Sequence, residues 1–144
     1  MSKSIKDIMA RERWAVEEAF NKGNVDALDE VFSPNAVFHS SPFPDIKGIE
    51  AYKRDATAKR PAFTDRRIEW EEIVCEGNTA VQRYVFHMKH TGTNPMLPFP
   101  PTGKEVAIKG CVIYHLKNGK IVEFIEYADY LGLFKQLGIV PPIG

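Results

Sequence analysis

The sequence predicts one α+β domain over residues 1–144, with helices packed on one face of a long, curved antiparallel sheet to form a cone. Helical patterns come first along the chain, and extended segments joined by tight turns follow. This order is typical of α+β folds and not of alternating βαβ units. The pair Asn118-Gly119 between two extended segments is a strong β-hairpin signal. A chain of 144 residues is long enough to bury its own core.

Three N-terminal helices are predicted. Apolar residues recur at helical spacing over residues 4–22, and Gly23 ends that helix. Asn24 is suited to cap a second, short helix that ends at Val31. The third helix is predicted over Ile49–Lys59. Together these helices are expected to cover one face of the sheet.

The sheet is predicted from five extended segments, with a short C-terminal helix after the last. The strands are expected over residues 36–40, 67–75, 79–91, 105–117 and 121–128, and the helix over residues 130–136. Regular alternation places Val122 and Phe124 on the face opposite Ile121 and Ile125. An antiparallel sheet usually leaves one face to water. Apolar residues on both faces therefore predict a homodimer through the outer sheet face.

Composition gives no sign of a nucleic-acid or membrane partner. Nineteen basic residues balance nineteen acidic ones, so net charge favours neither nucleic acid nor an anionic membrane. No apolar run reaches membrane-spanning length. The N-terminus is charged throughout and does not read as a signal peptide. Cys75 and Cys111 are far apart in sequence and are interpreted as reduced thiols, so a cytoplasmic protein is expected.

Several segments, taken in order, resemble a known group of proteins. They are AFNKGNVDALDEVFSPNAVFHSS (19–41), AFTDRR (62–67), CEGNTAVQR (75–83), PPTGKEV (100–106) and GKIVEFIEYADYLGLFKQLG (119–138). The chain is similar over nearly its whole length to the SnoaL-like polyketide cyclases, also called ester cyclase-like proteins, of the NTF2-like superfamily. This resemblance implies the cone fold and an intramolecular aldol ring closure that needs neither metal nor organic cofactor.

Asp129 is the first candidate for catalysis. It follows the last apolar strand, and a carboxylate facing apolar walls is a stronger base than one in water. The resemblance implies an acid/base role for this aspartate. The alternative is that Asp129 caps the helix that starts at Tyr130, because aspartate is a preferred N-cap. The two roles are compatible.

His115 is the candidate partner of Asp129. An ideal two-residue turn pairs His115 with Val122, which places His115 and Asp129 on opposite faces of the sheet. A β-bulge, common in strongly curved sheets, would bring the two onto one face. The alternative is a histidine that points outward or into an interface.

His39, Arg83 and His90 are candidate substrate-binding residues, and the resemblance places His, Arg and His at these positions. His39 ends a short strand, where a plain surface histidine is the alternative. The Arg83 cation would polarise a carbonyl or pair with Asp129, or instead form an edge salt bridge. Arg83 and His90 share one face only if a bulge separates them.

These features predict a cofactor-independent acid/base enzyme, a cyclase, isomerase or lyase, acting on a small apolar carbonyl compound. A non-catalytic, ligand-binding dimer is the alternative, as is epoxide hydrolase or dehydratase chemistry in the same pocket. No metal site is expected, because the histidines are scattered and no H-E-x-x-H motif occurs. The Pro-rich loop 94–103 is interpreted as a lid over the cone mouth or as a rigid surface loop.

Overall fold

Six strands, three α-helices and two short 3-10 turns make up the part of the chain described by the computed structural model, residues 4–140. The helices are α1 (Ile5–Lys22), α2 (Ile49–Lys59) and α3 (Tyr130–Leu137), the 3-10 turns are Val25–Glu30 and Arg60–Ala62, and the strands are β1 (Phe32–Ser41), β2 (Ile46–Lys47), β3 (Phe63–Glu76), β4 (Thr79–His90), β5 (Glu105–Lys117) and β6 (Lys120–Ala128). The α+β class is confirmed, and α2 and β5 begin and end at the predicted residues. The second predicted helix, expected to end at Val31, is instead the 3-10 segment Val25–Glu30, and in this part of the chain the Asn24 side chain makes no capping hydrogen bond. Within the described residues, no helix is both long and apolar enough to cross a membrane.

The strands form one curved sheet in the order β2-β1-β6-β5-β4-β3. All neighbours are antiparallel except β1 and β6, which run parallel. The prediction of a wholly antiparallel sheet is therefore wrong for this pair. The chain leaves β1 through α2 and returns along the β3–β6 meander, so β6 reaches β1 in the same direction. This pairing sets Ser40 beside Glu126.

A β-bulge interrupts the hairpin between β5 and β6. Leu116 pairs with Ile121, but His115 pairs with Glu123, so Val122 is an extra residue. Regular alternation predicted Ile121 and Phe124 on opposite faces, and this is wrong, since both are buried in the same core cluster. The bulge turns every residue after Val122 to the other face relative to an ideal hairpin.

Helix α1 is capped at its N-terminus by Ser4, whose Oγ accepts a hydrogen bond from the Asp7 N–H, and at its C-terminus by Gly23 in the left-handed conformation. Its buried face contains Ile8, Met9, Ala15 and Ala19 and also one carboxylate, Glu12. This face packs over the sheet against Phe32, Phe38, Tyr114 and Phe124 in the main core cluster. A second cluster lies between β4, β5 and α3. A partly hollow interior remains between α1, α2 and the sheet.

Candidate active site

An apolar cavity of about 170 Å³ lies between the helices and the inner face of the sheet. We call it the inner cavity. Phenylalanines form much of its wall: Phe20, Phe38, Phe43, Phe86 and Phe124. A few polar side chains also reach it, among them Glu12, Ser40, Tyr84, Glu126 and Tyr130. Apolar walls with a small number of convergent polar groups are typical of small-molecule sites.

The inner cavity has a carboxylate on its sheet side, that of Glu126 on β6. Its Oε1 accepts a hydrogen bond from Ser40 Oγ at 2.9 Å, and its Oε2 accepts one from Tyr84 Oη at 2.5 Å. Desolvation raises the pKa of Glu126 above its ordinary value, and the two hydrogen bonds oppose this only in part. The group is therefore a stronger base than an exposed glutamate, and it is held in position by a donor from the neighbouring strand β1 and another from β4, across β5.

A second carboxylate, Glu12 on α1, reaches the same cavity from the helical side and is fully buried. It accepts hydrogen bonds from Gln82 Nε2 at 2.8 Å and from Tyr114 Oη at 2.9 Å. Burial raises the pKa of Glu12 to about 7, and the hydrogen bonds moderate the increase. Both protonation states of Glu12 are thus accessible near neutral pH.

Tyrosine hydroxyls supply further donors. Tyr52 and Tyr130 both line the inner cavity. Desolvation raises the pKa of each phenol above its ordinary value, with the nearby Glu126 charge adding to the effect. Both hydroxyls therefore stay protonated and can donate to an oxygen atom of a bound molecule. A base beside protonated donors is the arrangement that enolisation of a carbonyl compound requires.

Asp129 does not lie among the residues that line the inner cavity. It is exposed, and its Oδ1 accepts a hydrogen bond of 2.8 Å from the Gly132 N–H as the N-cap of α3. The predicted N-cap is confirmed, whereas the expectation that this carboxylate looks into an apolar cavity is wrong. The strand ends at Ala128, and the chain turns into α3 before Asp129 can point inward. A catalytic role for Asp129 stays a prediction.

His115 and His39 lie on the outer face of the sheet. His39 Nε2 is 3.0 Å from a carboxylate oxygen of Glu123, and His115 Nε2 is 3.8 Å from the other. Hydrogen bonds to Asp45 and Glu123 raise the pKa of His39, which remains partly exposed. The bulge considered for His115 does occur, and it pairs His115 with Glu123 on the outer face of the sheet, away from the inner cavity. The outward-pointing alternative for His115 and the surface alternative for His39 therefore fit the structure, and a role for either residue in the reaction or in substrate binding stays a prediction.

Arg83 and His90 also lie apart from the inner cavity. Arg83 is exposed and pairs with Glu72 at 2.7 Å and Glu71 at 3.7 Å, which is the edge salt bridge of the alternative interpretation. His90 is buried in the core, where its Nδ1 accepts the Thr102 N–H at 3.1 Å and fixes the loop before β5. In residues 4–140 no group of three His, Cys, Asp or Glu side chains is arranged to hold a metal ion.

Sequence reasoning missed Glu12, Glu126 and the tyrosines, although two signals were present. Glu12 follows Ile8 by four residues and precedes Ala15 by three, so it lies within the apolar stripe of α1. Glu126 follows Phe124 by two residues and so shares its face of β6. A charged residue on an apolar face is the informative exception to ordinary burial.

A family model described as SnoaL-like polyketide cyclase matches residues 10–137. The chain belongs to the SnoaL-like polyketide cyclase family. Among relatives of this SnoaL-like protein, aklanonic acid methyl ester cyclase DauD of Streptomyces sp. (strain C5) is 30% identical over 128 residues, covering 84% of this chain and 76% of DauD. Aklanonic acid methyl ester cyclase DnrD of Streptomyces peucetius is 28% identical over 130 residues, covering 84% of both chains.

Solved structures share the fold of this SnoaL-like protein. The structure of TsrD from Streptomyces laurentii superposes with a TM-score of 0.82 and 22% identity, covering 96% of this chain and 100% of TsrD. At that identity the likeness concerns the fold alone. The cone architecture expected from the resemblance therefore has a solved counterpart.

Proposed function

We propose that this SnoaL-like protein is a cofactor-independent acid/base enzyme that enolises a small, apolar carbonyl compound for an aldol-type ring closure. The observation that carries the proposal is the Glu126 carboxylate, enclosed by apolar walls and hydrogen-bonded to Ser40 and Tyr84. We assign the role of base to Glu126 in place of Asp129, because Glu126 reaches the inner cavity and Asp129 is exposed.

In the proposed reaction, Glu126 removes a proton from the carbon next to a substrate carbonyl. The electron pair moves onto the carbonyl oxygen, and the resulting enolate accepts hydrogen bonds from the Tyr52 and Tyr130 hydroxyls. The enolate carbon then attacks a second carbonyl of the same molecule, forming one carbon–carbon bond. The new alkoxide takes up the proton, so the product is an isomer of the substrate and no oxidant or reductant is consumed.

Two features favour ring closure over other enolate chemistry. The family consists of SnoaL-like polyketide cyclases, and the relatives DauD and DnrD carry the name aklanonic acid methyl ester cyclase. The small volume and apolar walls of the inner cavity suit a compact substrate held in a folded conformation. Aklanonic acid methyl ester, which the names of these relatives specify, and the corresponding free acid are the compounds to assay first, and 1-tetralone is a simple carbonyl probe.

The test is enzyme-dependent exchange of deuterium from solvent into the α-carbon of 1-tetralone, with cyclisation of aklanonic acid methyl ester as a second readout. Glu126→Gln is expected to lower both rates by at least about a hundredfold, since general base catalysis contributes this much. Glu123→Gln is the matched control, because Glu123 lies on the same strand and faces outward. Full activity of a folded Glu126→Gln variant would rule out the proposed base. Saturable binding of both compounds without exchange or cyclisation by the wild-type protein would instead favour a non-catalytic binding protein.

We also propose that the protein is a cytoplasmic homodimer through the outer face of the sheet. Tyr127 on β6 is 62% exposed there, beside its cross-strand partner Cys111. An exposed aromatic side chain on a sheet face is typical of an interface. Light scattering should give twice the chain mass, and Tyr127→Lys should give the single mass, while Leu131→Lys, an exposed apolar residue on α3, should leave the dimer intact. A monomeric wild-type protein would contradict the proposal.

A further inference from the structure

A second chamber of about 130 Å³ adjoins the inner cavity, and we call it the side chamber. The two share a wall formed by Phe20, Ala56, Lys59, Tyr84, Phe86 and Tyr130. Two arginines outside this shared wall also line the side chamber: Arg66, which is half-buried, and Arg60, which is exposed. A mostly apolar space thus has carboxylates in one part and two arginines in the other.

A β-bulge directs Arg66 toward the side chamber. Thr64 pairs with Lys89 and Arg67 pairs with His87, so Asp65 and Arg66 share the space opposite a single residue of β4. Asp65 takes a φ of 53°, which is unusual for a residue other than glycine. Bulges of this kind commonly reorient one side chain. The bulge therefore helps to place the Arg66 guanidinium group at the side chamber.

Each arginine makes one hydrogen bond to the end of α1. Arg66 Nη1 donates to the Phe20 carbonyl at 2.8 Å, and Arg60 Nη2 donates to the Asn21 carbonyl at 3.1 Å. These bonds fix the two guanidinium groups next to each other at the helix C-terminus. A guanidinium group has five N–H donors, so most of the donors on both side chains remain available.

The charges of Arg60 and Arg66 are not neutralised by acidic side chains. In residues 4–140 neither arginine has a carboxylate within 4 Å, whereas Lys53 contacts three and Lys59 pairs with Asp55 at 2.9 Å. The α1 C-terminus supplies only about half an elementary negative charge. Burial and the neighbouring Arg60 cation lower the pKa of Arg66 to about 10, so it is still charged at neutral pH.

We propose that the side chamber binds an anionic oxygen group of the substrate, a carboxylate or a phosphate, between Arg60 and Arg66. Both groups accept two parallel hydrogen bonds from a guanidinium fork and would supply the missing negative charge. Binding of the anionic group does not depend on the proposed acid/base reaction. The orientation of the bound substrate does rest on the proposed function: its apolar body spans the shared wall and its carbonyl lies near Glu126.

The inference specifies the substrate class of the enzyme. The preferred compounds are apolar carbonyl compounds that also carry a free acid group, and a neutral ester of the same body is a poorer ligand. Asn94 and Met96, from the Pro-rich loop, complete the wall near the arginines. The Asn94 side chain donates to the Lys59 carbonyl at 2.8 Å, which fixes the loop in this position.

The test is calorimetric titration at neutral pH with 2-naphthoate, 2-naphthyl phosphate and the neutral 2-naphthamide. Wild-type protein should bind at least one of the anions about tenfold more tightly than the amide, and the tighter anion identifies the group. Arg66→Gln and Arg60→Gln should each remove most of this preference and leave amide binding within about twofold. Arg67→Gln is the control, because Arg67 is adjacent in sequence and exposed.

Equal binding of all three probes, or an anion preference that survives in both arginine variants, would overturn the inference. So would the absence of saturable binding of either anion at millimolar concentration. Thermal unfolding of each variant shows whether loss of the bond to α1 has unfolded the protein. Glu126→Gln separates this inference from the proposed function: it should abolish deuterium exchange while 2-naphthoate binding persists. Each proposal can therefore fail while the other stands.

Discussion

The ring of Tyr84 packs directly on Gly110, its cross-strand partner on β5. A Cβ atom at position 110 would lie 2.3 Å from both Cζ and Oη of Tyr84. No side chain fits there without moving the phenol. Since the same hydroxyl donates to Glu126, the glycine fixes the position of a group that touches the proposed base.

Gly110→Ala should displace the Tyr84 ring and break its hydrogen bond to Glu126. We expect a loss of about 1–3 kcal/mol in the free energy of unfolding, as is common when atoms are forced into a packed site. Deuterium exchange into 1-tetralone should also slow. Denaturant unfolding and the exchange assay measure the two effects. The double variant Gly110→Ala/Tyr84→Phe shows whether the missing hydroxyl accounts for the rate, because it should be no slower than Tyr84→Phe alone.

Tyr84→Phe should keep the ring packing and remove only the donor to Glu126. The hydrogen bond from Tyr84 lowers the pKa of Glu126, so its removal raises that pKa further. If Glu126 acts as a base, the ascending limb of the pH–rate profile moves to higher pH. The profile of deuterium exchange checks this, together with carbon NMR titration of the labelled glutamate. An unchanged limb would show that another group controls the reaction.

Glu12→Gln should alter how stability depends on pH. The folded-state pKa of Glu12 is about 7, above the ordinary value of 4.5, so the folded protein binds the extra proton between these values. Stability conferred by this group is therefore lost as pH rises from about 4.5 to about 7, by roughly 3 kcal/mol in total. The glutamine variant lacks this loss, so its stability relative to wild type should increase over the same range.

Denaturant unfolding at pH 4.5 and pH 8 measures the difference for Glu12→Gln. Glu76→Gln provides the control, because it removes an exposed carboxylate at the end of β3 and leaves the buried Glu12 in place. Parallel curves for wild type and Glu12→Gln would show that Glu12 does not retain a proton on folding.

Substitutions of Asp129 separate its capping role from the catalytic role that the resemblance implies. Asp129→Asn should keep the N-cap, because asparagine is also a preferred cap, whereas Asp129→Ala should lose about 1 kcal/mol of stability. If Glu126 is the base, Asp129→Asn retains its exchange and cyclisation rates. A folded Asp129→Asn variant without activity would instead assign the chemistry to Asp129.

Local patterns predicted the elements well, because their limits are set by residues near in sequence. The helix Ile49–Lys59 and the strand Glu105–Lys117 can be recognised from the spacing of apolar residues within them and from the residue types at their ends. The parallel pairing of β1 with β6 depends on contacts between distant segments, and no local pattern encodes it. Family membership was also accessible, since the matching segments extend along most of the chain.

The site was predicted less well because one inserted residue decides which face a side chain occupies. Val122 forms a bulge that depends on how β5 and β6 twist together, and a valine at this position does not by itself predict a bulge. Histidines were considered for the cavity on the strength of their chemistry, but the structure places His39 and His115 outside it. Two of the groups that do face inward, Glu12 and Glu126, lie among apolar residues on α1 and β6, and this pattern is visible in the sequence.

Ser40 and Glu126 are neighbours across the parallel strands yet stand 86 residues apart along the chain. Until β6 docks beside β1, Glu126 lacks its serine donor and the part of the cavity wall that β1 supplies, although Tyr84 can already donate to it across β5. If Glu126 is the base, a folding intermediate with the hairpins in place but β1 and β6 unpaired should have little activity. The proposed site is therefore complete only once these two distant segments of the chain have paired.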